Sequence, residues 1–295
     1  MTAQGLKKWF IETRTGVVIF GNNRKGLKPM ARPTALITGA SAGIGRSLAN
    51  VFAENQHDVI LVARNKKMLA EVAEKMRRKW KVKAHIFSHD LIPSDAPQQL
   101  FSKINDKNLK VDVLVNNAGM IHVEPFHQTD LDLLQRIVCL NIASLMTLTH
   151  LFLPPMIKRK SGKILNVASI ASFMPTPTFA VYGASKAFVL SFSEALEQEL
   201  KETGVTATCL CPGFTETDLL NQAGGEDYIP GFMRLDADTV AREGFKACMK
   251  GKGVHIDSLT NNALIQMVKY QPRWLVRNAG GFLTRFFQSL DKKKG

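Results

Sequence analysis

Short apolar, β-branched runs alternate with longer amphipathic stretches along most of this chain, and no other feature of the sequence narrows the fold so far. The runs are "TALITG" (34–39), "DVILVAR" (58–64), "KAHIFSHD" (83–90), "VDVLVNNAG" (111–119), "GKILNVAS" (162–169) and "GVTATCLCPG" (204–213). Each has the length and composition of a strand buried on both faces. Helical periodicity fills the intervals at 44–55, 66–79, 95–107, 130–158 and 182–202. Strict alternation of this kind leads to an α/β fold, a doubly wound parallel sheet of about seven strands with helices on both faces. Ligands bind such a sheet beyond the carboxyl ends of its strands, so the last residues of every run are candidate site positions.

Charge suggests where the domain begins and ends. Residues 1–32 hold seven Lys/Arg against Glu12, and residues 261–295 hold seven against Asp291, a net of +6 at each end of a chain whose total is +14. The residues between carry only +2. The expected organisation is a basic extension over 1–32, one domain over 33–260 with a Gly-rich lid at about 214–235, and a basic amphipathic extension over 261–295. Either extension fits a solvated tail, an acidic partner or an anionic membrane, and neither carries a nucleic-acid motif. Cys139, Cys209, Cys211 and Cys248 form no CxxC pair and the seven histidines no HExxH, so reduced thiols and no metal are expected. No apolar run reaches the ~18 residues of a membrane span, and a cytoplasmic location is the expectation. The basic, acid-poor leader is also compatible with an organelle transit peptide.

Three motifs carry chemistry. "TGASAGIG" (38–45) follows the first run and opens the first helix, with Gly39, Gly43 and Gly45 allowing a tight turn and close approach of backbone N–H groups to a pyrophosphate. Its spacing is G-x3-G-x-G, unlike the commoner dinucleotide fingerprint. The second run ends in Arg64, where an acid would otherwise contact the adenosine ribose; a guanidinium there pairs with a 2'-phosphate and favours NADP over NAD. Ser41 in the turn adds a hydroxyl. Finally, Tyr182 and Lys186 stand four residues apart and share one helix face. A nearby ammonium stabilises a phenolate and lowers its pKa, which would make the tyrosine a usable acid–base group. Alone, such a pair is far more often an ordinary helix surface.

In company it is not. "TGASAGIG", "NNAG" (116–119), "LNIAS" (140–144), "NVASIAS" (166–172), "YGASK" (182–186) and "PGFTET" (212–217) occur in this order, with Ser169 thirteen residues before Tyr182. In this set the chain resembles the short-chain dehydrogenase/reductase family, over about Pro33 to Ala247, in its broad-specificity NADP-dependent branch. The resemblance implies a Rossmann-type fold and four catalytic residues. Tyr182 would be the general acid/base, Ser169 would polarise the substrate carbonyl, and Lys186 would bind the nicotinamide ribose. Asn141 would hold a water linking that lysine to solvent. It also implies NADP(H) held by Gly39, Ser41, Gly43, Ile44 and Gly45, by Arg64, by Asp90 and Leu91 at the adenine, and by Asn117, Ala118 and Gly119 at the adenosine ribose. Pro212, Gly213, Thr215 and Thr217 would hold the carboxamide. Two departures stand out: the residue before Ser169 is Ala168, where a second serine is common, and Ala42 occupies a position that is often basic.

Ile170, Phe173, Met174, Phe179 and Phe214 are expected to flank the substrate carbonyl, with Leu219, Leu220, Tyr228, Ile229, Phe232 and Met233 on the lid. An apolar pocket of this kind suits a 3-oxoacyl, aliphatic or ring ketone. The expected activity is reversible reduction of that ketone to the secondary alcohol by hydride transfer. The alternative is a catalytically idle NADP-binding protein whose basic ends recruit a partner or membrane. Two long helices, 130–158 and 182–202, pair across a two-fold axis in the family, which implies a homodimer or homotetramer. The tail interleaves Trp274, Leu275, Phe282, Leu283, Phe286 and Phe287 with basic residues, as an interfacial helix would, so peripheral membrane contact is a further expectation.

Overall fold

A computed structural model describes residues 32–215 and 234–278. Thr217, most of the expected lid including its six named residues, and the tail beyond Arg277 and Asn278 lie outside the described residues.

Strand and helix alternate as the apolar pattern requires. β1 (Thr34–Thr38), α1 (Gly43–Glu54), β2 (Asp58–Ala63), α2 (Lys66–Trp80), β3 (Ala84–Ser88), α3 (Ala96–Asp106) and β4 (Val113–Asn116) form the first half. α4 (Leu131–Val138), a π-helical turn (Cys139–Ser144) and α5 (Leu145–Lys158) then lead to β5 (Gly162–Val167). A 3-10 turn (Ile170–Phe173), α6 (Ala180–Glu199), β6 (Val205–Cys211), the short β7 (Phe214–Thr215) and β8 (Arg234–Leu235), α7 (Ala237–Met249), β9 (Val254–Ile256) and α8 (Leu259–Lys269) complete it. The main sheet has seven strands, all parallel, in the order β3-β2-β1-β4-β5-β6-β9. Six of them coincide with the six runs in the sequence.

Two-residue periodicity divides the core cleanly. Ala35, Ile37, Val59, Leu61, Val113, Val115 and Leu165 face α1, α2 and α7, while Leu36, Ile60, Val62, Leu114 and Ile164 face α3, α5 and α6. Burying each such side chain contributes about 1.5–3 kcal/mol, so a strand that slipped by one residue would exchange two well-packed faces at once. The strand order reverses between β1 and β4, which places a crevice at their carboxyl ends.

Two features go beyond the sequence reading. α4, the π turn and α5 make one continuous helical span, Leu131–Lys158, that is long and apolar enough to cross a membrane by length and composition. Scanning for uninterrupted apolar runs missed it because Arg136, Asn141 and His150 break them up. In the fold this span is a layer of the domain, with Leu148, Phe152 and Met156 in the core. The boundary at 260/261 also falls inside α8, whose Asn261 and Ile265 are buried and which packs on the 3-10 turn. Six of the eleven residues of Leu259–Lys269 are apolar, but Asn261 is buried while Leu259 and Met267 are exposed, so the apolar pattern does not show which face docks.

Candidate active site

The glycine turn after β1 is locked by a single hydroxyl. Thr38 Oγ1 donates to the Val115 carbonyl (3.2 Å) and accepts the N–H groups of Asn117 (2.9 Å) and Ala118 (3.0 Å), so the ends of β1 and β4 share one buried hub. Asn117 Nδ2 donates to the carbonyl of Thr38 at 2.9 Å and reaches that of Gly39 at 3.4 Å. Its side chain thus holds the turn. Thr38 was present in "TGASAGIG" but was not assigned a role there; its hydroxyl beside a glycine turn was the available signal.

The turn leaves room for a ligand backbone. Gly39 has φ +66° and Gly43 φ +52°, the left-handed region that side chains avoid. A Cβ on Gly45 would stand 2.2 Å from the Gly39 carbonyl oxygen. α1 begins at Ala42 without a side-chain cap and with no acidic residue in its first turn. Its first N–H groups and positive dipole end therefore face the crevice unopposed, and the residues present fit a pyrophosphate. Ser41 and Ile44 are half-buried in this turn. Arg64 is exposed directly after β2, and its carbonyl accepts from Ser88 (2.8 Å). Asp90 is exposed with its carboxylate accepting from Ile92 N–H (3.1 Å), and Leu91 is buried.

β5 and α6 bring the proposed catalytic side chains together. Ser169 caps the 3-10 turn, its Oγ accepting from Ala171 N–H at 3.1 Å. That bond uses a lone pair and leaves the hydroxyl proton free to donate. The Ser169 hydroxyl lies beside the Tyr182 phenol, close enough to favour its ionised form. Lys186, one helical turn on, is 6 % exposed; its Nζ donates to the Val167 carbonyl (2.9 Å) and lies 5.7 Å from the Tyr182 ring centre. Gly119 lies alongside: a Cβ there would stand 3.5 Å from the lysine nitrogen, ordinary contact distance, and 3.3 Å from Asn141 Oδ1.

Electrostatics departs from the sequence expectation. Burial pushes the Tyr182 phenol above its ordinary value, and the Ser169 hydroxyl only partly opposes that. Burial also lowers the Lys186 ammonium to about 8. A desolvated, carbonyl-bound lysine does not pull the phenol down here; both groups are held toward their neutral forms.

Asn141 lies in the π-helical turn, a distortion frequent at functional sites. It is fully buried, accepts from Met120 N–H (2.9 Å), and donates to the Met120 carbonyl and to Ser185 Oγ (3.0 Å each). Both its N–H groups are committed to the protein, so it fastens the strand-end loop to the catalytic helix and keeps only an Oδ1 lone pair for a water. Below it, Asn116, Thr149, Asn166 and Ser193 form a buried chain of hydrogen bonds that ties β4, α5, β5 and α6 together. Sequence reasoning passed over this chain because its members lie outside the motifs' catalytic positions.

The expected pocket residues do not share one environment. Phe179 packs at 6.3 Å from the Tyr182 ring, and Phe173 carries Lys269 Nζ 5.0 Å above its ring. Ile170 is a core residue, 7 % exposed, its N–H donating to the Pro212 carbonyl (2.8 Å). Met174 and Phe214 are half-buried. Thr215 Oγ1 donates to the Gly213 carbonyl (3.2 Å).

Comparison with known proteins agrees with this geometry. The family model for short chain dehydrogenases matches residues 33–227. Sulfoacetaldehyde reductase 2 of Chromohalobacter salexigens is 37 % identical over 211 residues, 70 % of this chain and 83 % of that protein. Human very-long-chain 3-oxoacyl-CoA reductase is 32 % identical over 212 residues, 70 % of this chain and 67 % of that one. Among solved structures, a short-chain dehydrogenase from Sphingobium yanoikuyae in complex with NADPH aligns over 82 % of this chain and 97 % of its own, at 28 % identity and a TM-score of 0.72. Family model, sequence relatives and fold converge, and this chain belongs to the short-chain dehydrogenase/reductase family.

Proposed function

We propose that this protein is an NADPH-dependent reductase that converts the ketone of an apolar small molecule into the secondary alcohol. The observation that carries the reading is the convergence of Ser169, Tyr182 and Lys186 at the edge of the sheet where an uncapped helix end and a glycine turn fit a pyrophosphate. NADPH supplies the hydride. Tyr182 gives its phenolic proton to the carbonyl oxygen while the Ser169 hydroxyl donates to the same atom, so the charge developing there meets two donors. Lys186 holds the ribose and delivers a replacement proton to the phenolate. The two relatives named above act, by name, on a sulfonated aldehyde and on long 3-oxoacyl chains, which share only a carbonyl to be reduced. The apolar environment of Phe173 and Phe179 favours the acyl, aliphatic or ring ketone. NADPH over NADH follows from Arg64 beside the crevice and from the NADPH complex of the structural relative.

Turnover of NADPH and NADH across a panel of aliphatic, 3-oxoacyl, aromatic and steroid ketones tests this directly. Oxidation confined to NADPH with one ketone class preferred supports the reading; a protein silent on every carbonyl overturns it. Tyr182→Phe should lower kcat by about 10²–10⁴-fold, with NADPH binding by fluorescence unchanged.

The raised phenol pKa has a sign that kinetics can read. Reduction needs the protonated phenol, which predominates through neutral pH, whereas alcohol oxidation needs the phenolate and should rise with pH. Lys186 is depressed to about 8, so its ammonium is present below that pH and lost above it. NADPH affinity of the free protein should therefore weaken as pH rises through about 8, and Lys186→Met should flatten that dependence.

Exposed Leu131, Val138 and Met146 on α4 and the helix that follows support assembly with a second copy. Exposed Tyr270, Trp274 and Leu275 next to Lys269, Arg273 and Arg277 support peripheral contact with anionic lipid. Four free cysteines, including Cys209 and Cys211 with sulfurs 3.7 Å apart and unbonded, support a reducing, cytoplasmic location. Flotation with anionic liposomes, with and without residues 271–295, a deletion that leaves α8 whole, checks the lipid contact.

A further inference from the structure

The turn Pro212–Gly213, where the nicotinamide end of the cofactor belongs on the reading above, has no free polar group of its own. The Pro212 carbonyl accepts from Ile170 N–H (2.8 Å), the Gly213 carbonyl from Thr215 Oγ1 (3.2 Å), and the Gly213 N–H donates to Asp257. Asp257 is the unexpected partner. It lies 44 residues further along the chain, just after β9, and is fully buried. Both its oxygens meet the same N–H, at 2.9 and 3.0 Å, and its Oδ1 also accepts from Asn261 Nδ2 (2.9 Å). Burial pushes the carboxyl pKa up, and these donors pull it back.

Asn261 is buried too, and it fills the space that keeps position 213 a glycine: a Cβ there would lie 2.0 Å from Asn261 Nδ2. Gly213 does not have a positive φ, so that space is the reason for glycine. Between the pair, Ser258 holds φ +54°, a conformation that costs a non-glycine residue, and its Oγ accepts from Asn261 N–H (3.1 Å). The backbone is strained so that the first turn of α8 can press the amide and the carboxylate onto Gly213. On its other side the same turn is bonded to Ile170, the residue after Ser169. The turn is clamped between the carbonyl-polarising serine and a buried carboxylate.

We propose that Asp257 and Asn261 are positioning residues: they fix the Pro212–Gly213 turn, and through it the distance between the hydride donor and the carbonyl held by Ser169 and Tyr182. This rests on the reductase reading. It assigns a function to a segment outside every motif in the sequence.

The test is kinetic. Asp257→Asn keeps the shape but sets an amide donor against the Gly213 or Asn261 N–H groups. It should lower kcat about 10- to 100-fold, the scale of a slightly misplaced reactant, with the ketone KM changed much less. With NADPH deuterated at the transferring position, the isotope effect on kcat should rise as hydride transfer becomes the slow step. The reciprocal variant Asp257→Asn/Asn261→Asp restores donor to acceptor and should recover part of kcat and lower the isotope effect again. All variants are assayed at a temperature well below their measured Tm. An unchanged kcat, or a lower kcat that tracks the folded fraction with an unchanged isotope effect, overturns the proposal. If the wild type itself oxidises no NADPH, the reductase reading has failed instead, and NADPH fluorescence titration of the Asp257→Asn variant still decides the clamp: affinity equal to the wild type's argues against it.

Discussion

Two glycine turns meet at the carboxyl edge of this sheet, and they are held in different ways. Gly39, after β1, has φ +66° and would also overlap Asn117 Nδ2 (2.7 Å) if it carried a Cβ. Gly213, after β6, has an ordinary backbone and is glycine for space alone. The first turn is fastened by neutral groups, the Thr38 hydroxyl and the Asn117 amide, in segments that adjoin through the β1–β4 pairing. The second is fastened by a buried carboxylate from the far end of the domain. The Gly39 turn is therefore built into the sheet, whereas the Gly213 turn depends on β9 and α8 docking correctly.

The contrast predicts unequal tolerance. Gly39→Ala meets left-handed strain of about 1–2 kcal/mol as well as overpacking of about 1–3 kcal/mol. It should destabilise the protein in urea titration by about 3 kcal/mol or more and abolish detectable NADPH binding. Trimming the neighbour with Asn117→Ala should not rescue it, since the backbone strain remains and the amide that holds the turn is lost. Recovery in that double variant would mean that Gly39, like Gly213, is glycine only for room.

Gly213→Ala should cost less, about 1–3 kcal/mol, because it faces overlap without strain. Here Asn261→Ala in the same chain opens space, and stability should return by roughly half. Full return of kcat would not accompany it, because Asp257 has then lost one of its donors. Thermal unfolding and steady-state kinetics on the single and double variants separate the two effects.

The same asymmetry explains what the sequence disclosed. β1 to β6 were legible because each is a short apolar run buried on both faces, and the period-two split between the helical layers leaves no alternative register. The site residues were legible where chemistry fixes both residue type and spacing, as for Ser169, Tyr182 and Lys186. Asp257 and Asn261 were not, because a clamp needs only an acceptor and a donor at one point in space, and many chain positions could supply them. β9 has three residues, and α8 buries Asn261 while exposing Leu259 and Met267, so neither announces itself. The phenol's direction of shift was misread for a related reason. A sequence shows that an ammonium is four residues away; it does not show that both groups are desolvated, and burial outweighs proximity here.

The smallest effect falls on the charge beside the first turn. Arg64 is exposed, so its contribution to a 2'-phosphate is screened, and a single solvent-facing ionic contact is worth about 1 kcal/mol. Arg64→Ala should raise the KM for NADPH about five- to tenfold, leave NADH unaffected, and leave kcat with NADPH unchanged at saturation. The comparison of the two turns requires this separation: a change at the adenosine end alters binding alone, whereas a change at the Gly213 clamp alters the chemical step as well as NADPH binding. If Arg64→Ala lowered kcat as well, the two turns would be mechanically coupled through the sheet, and the independence argued from their separate hydrogen-bond partners would not hold.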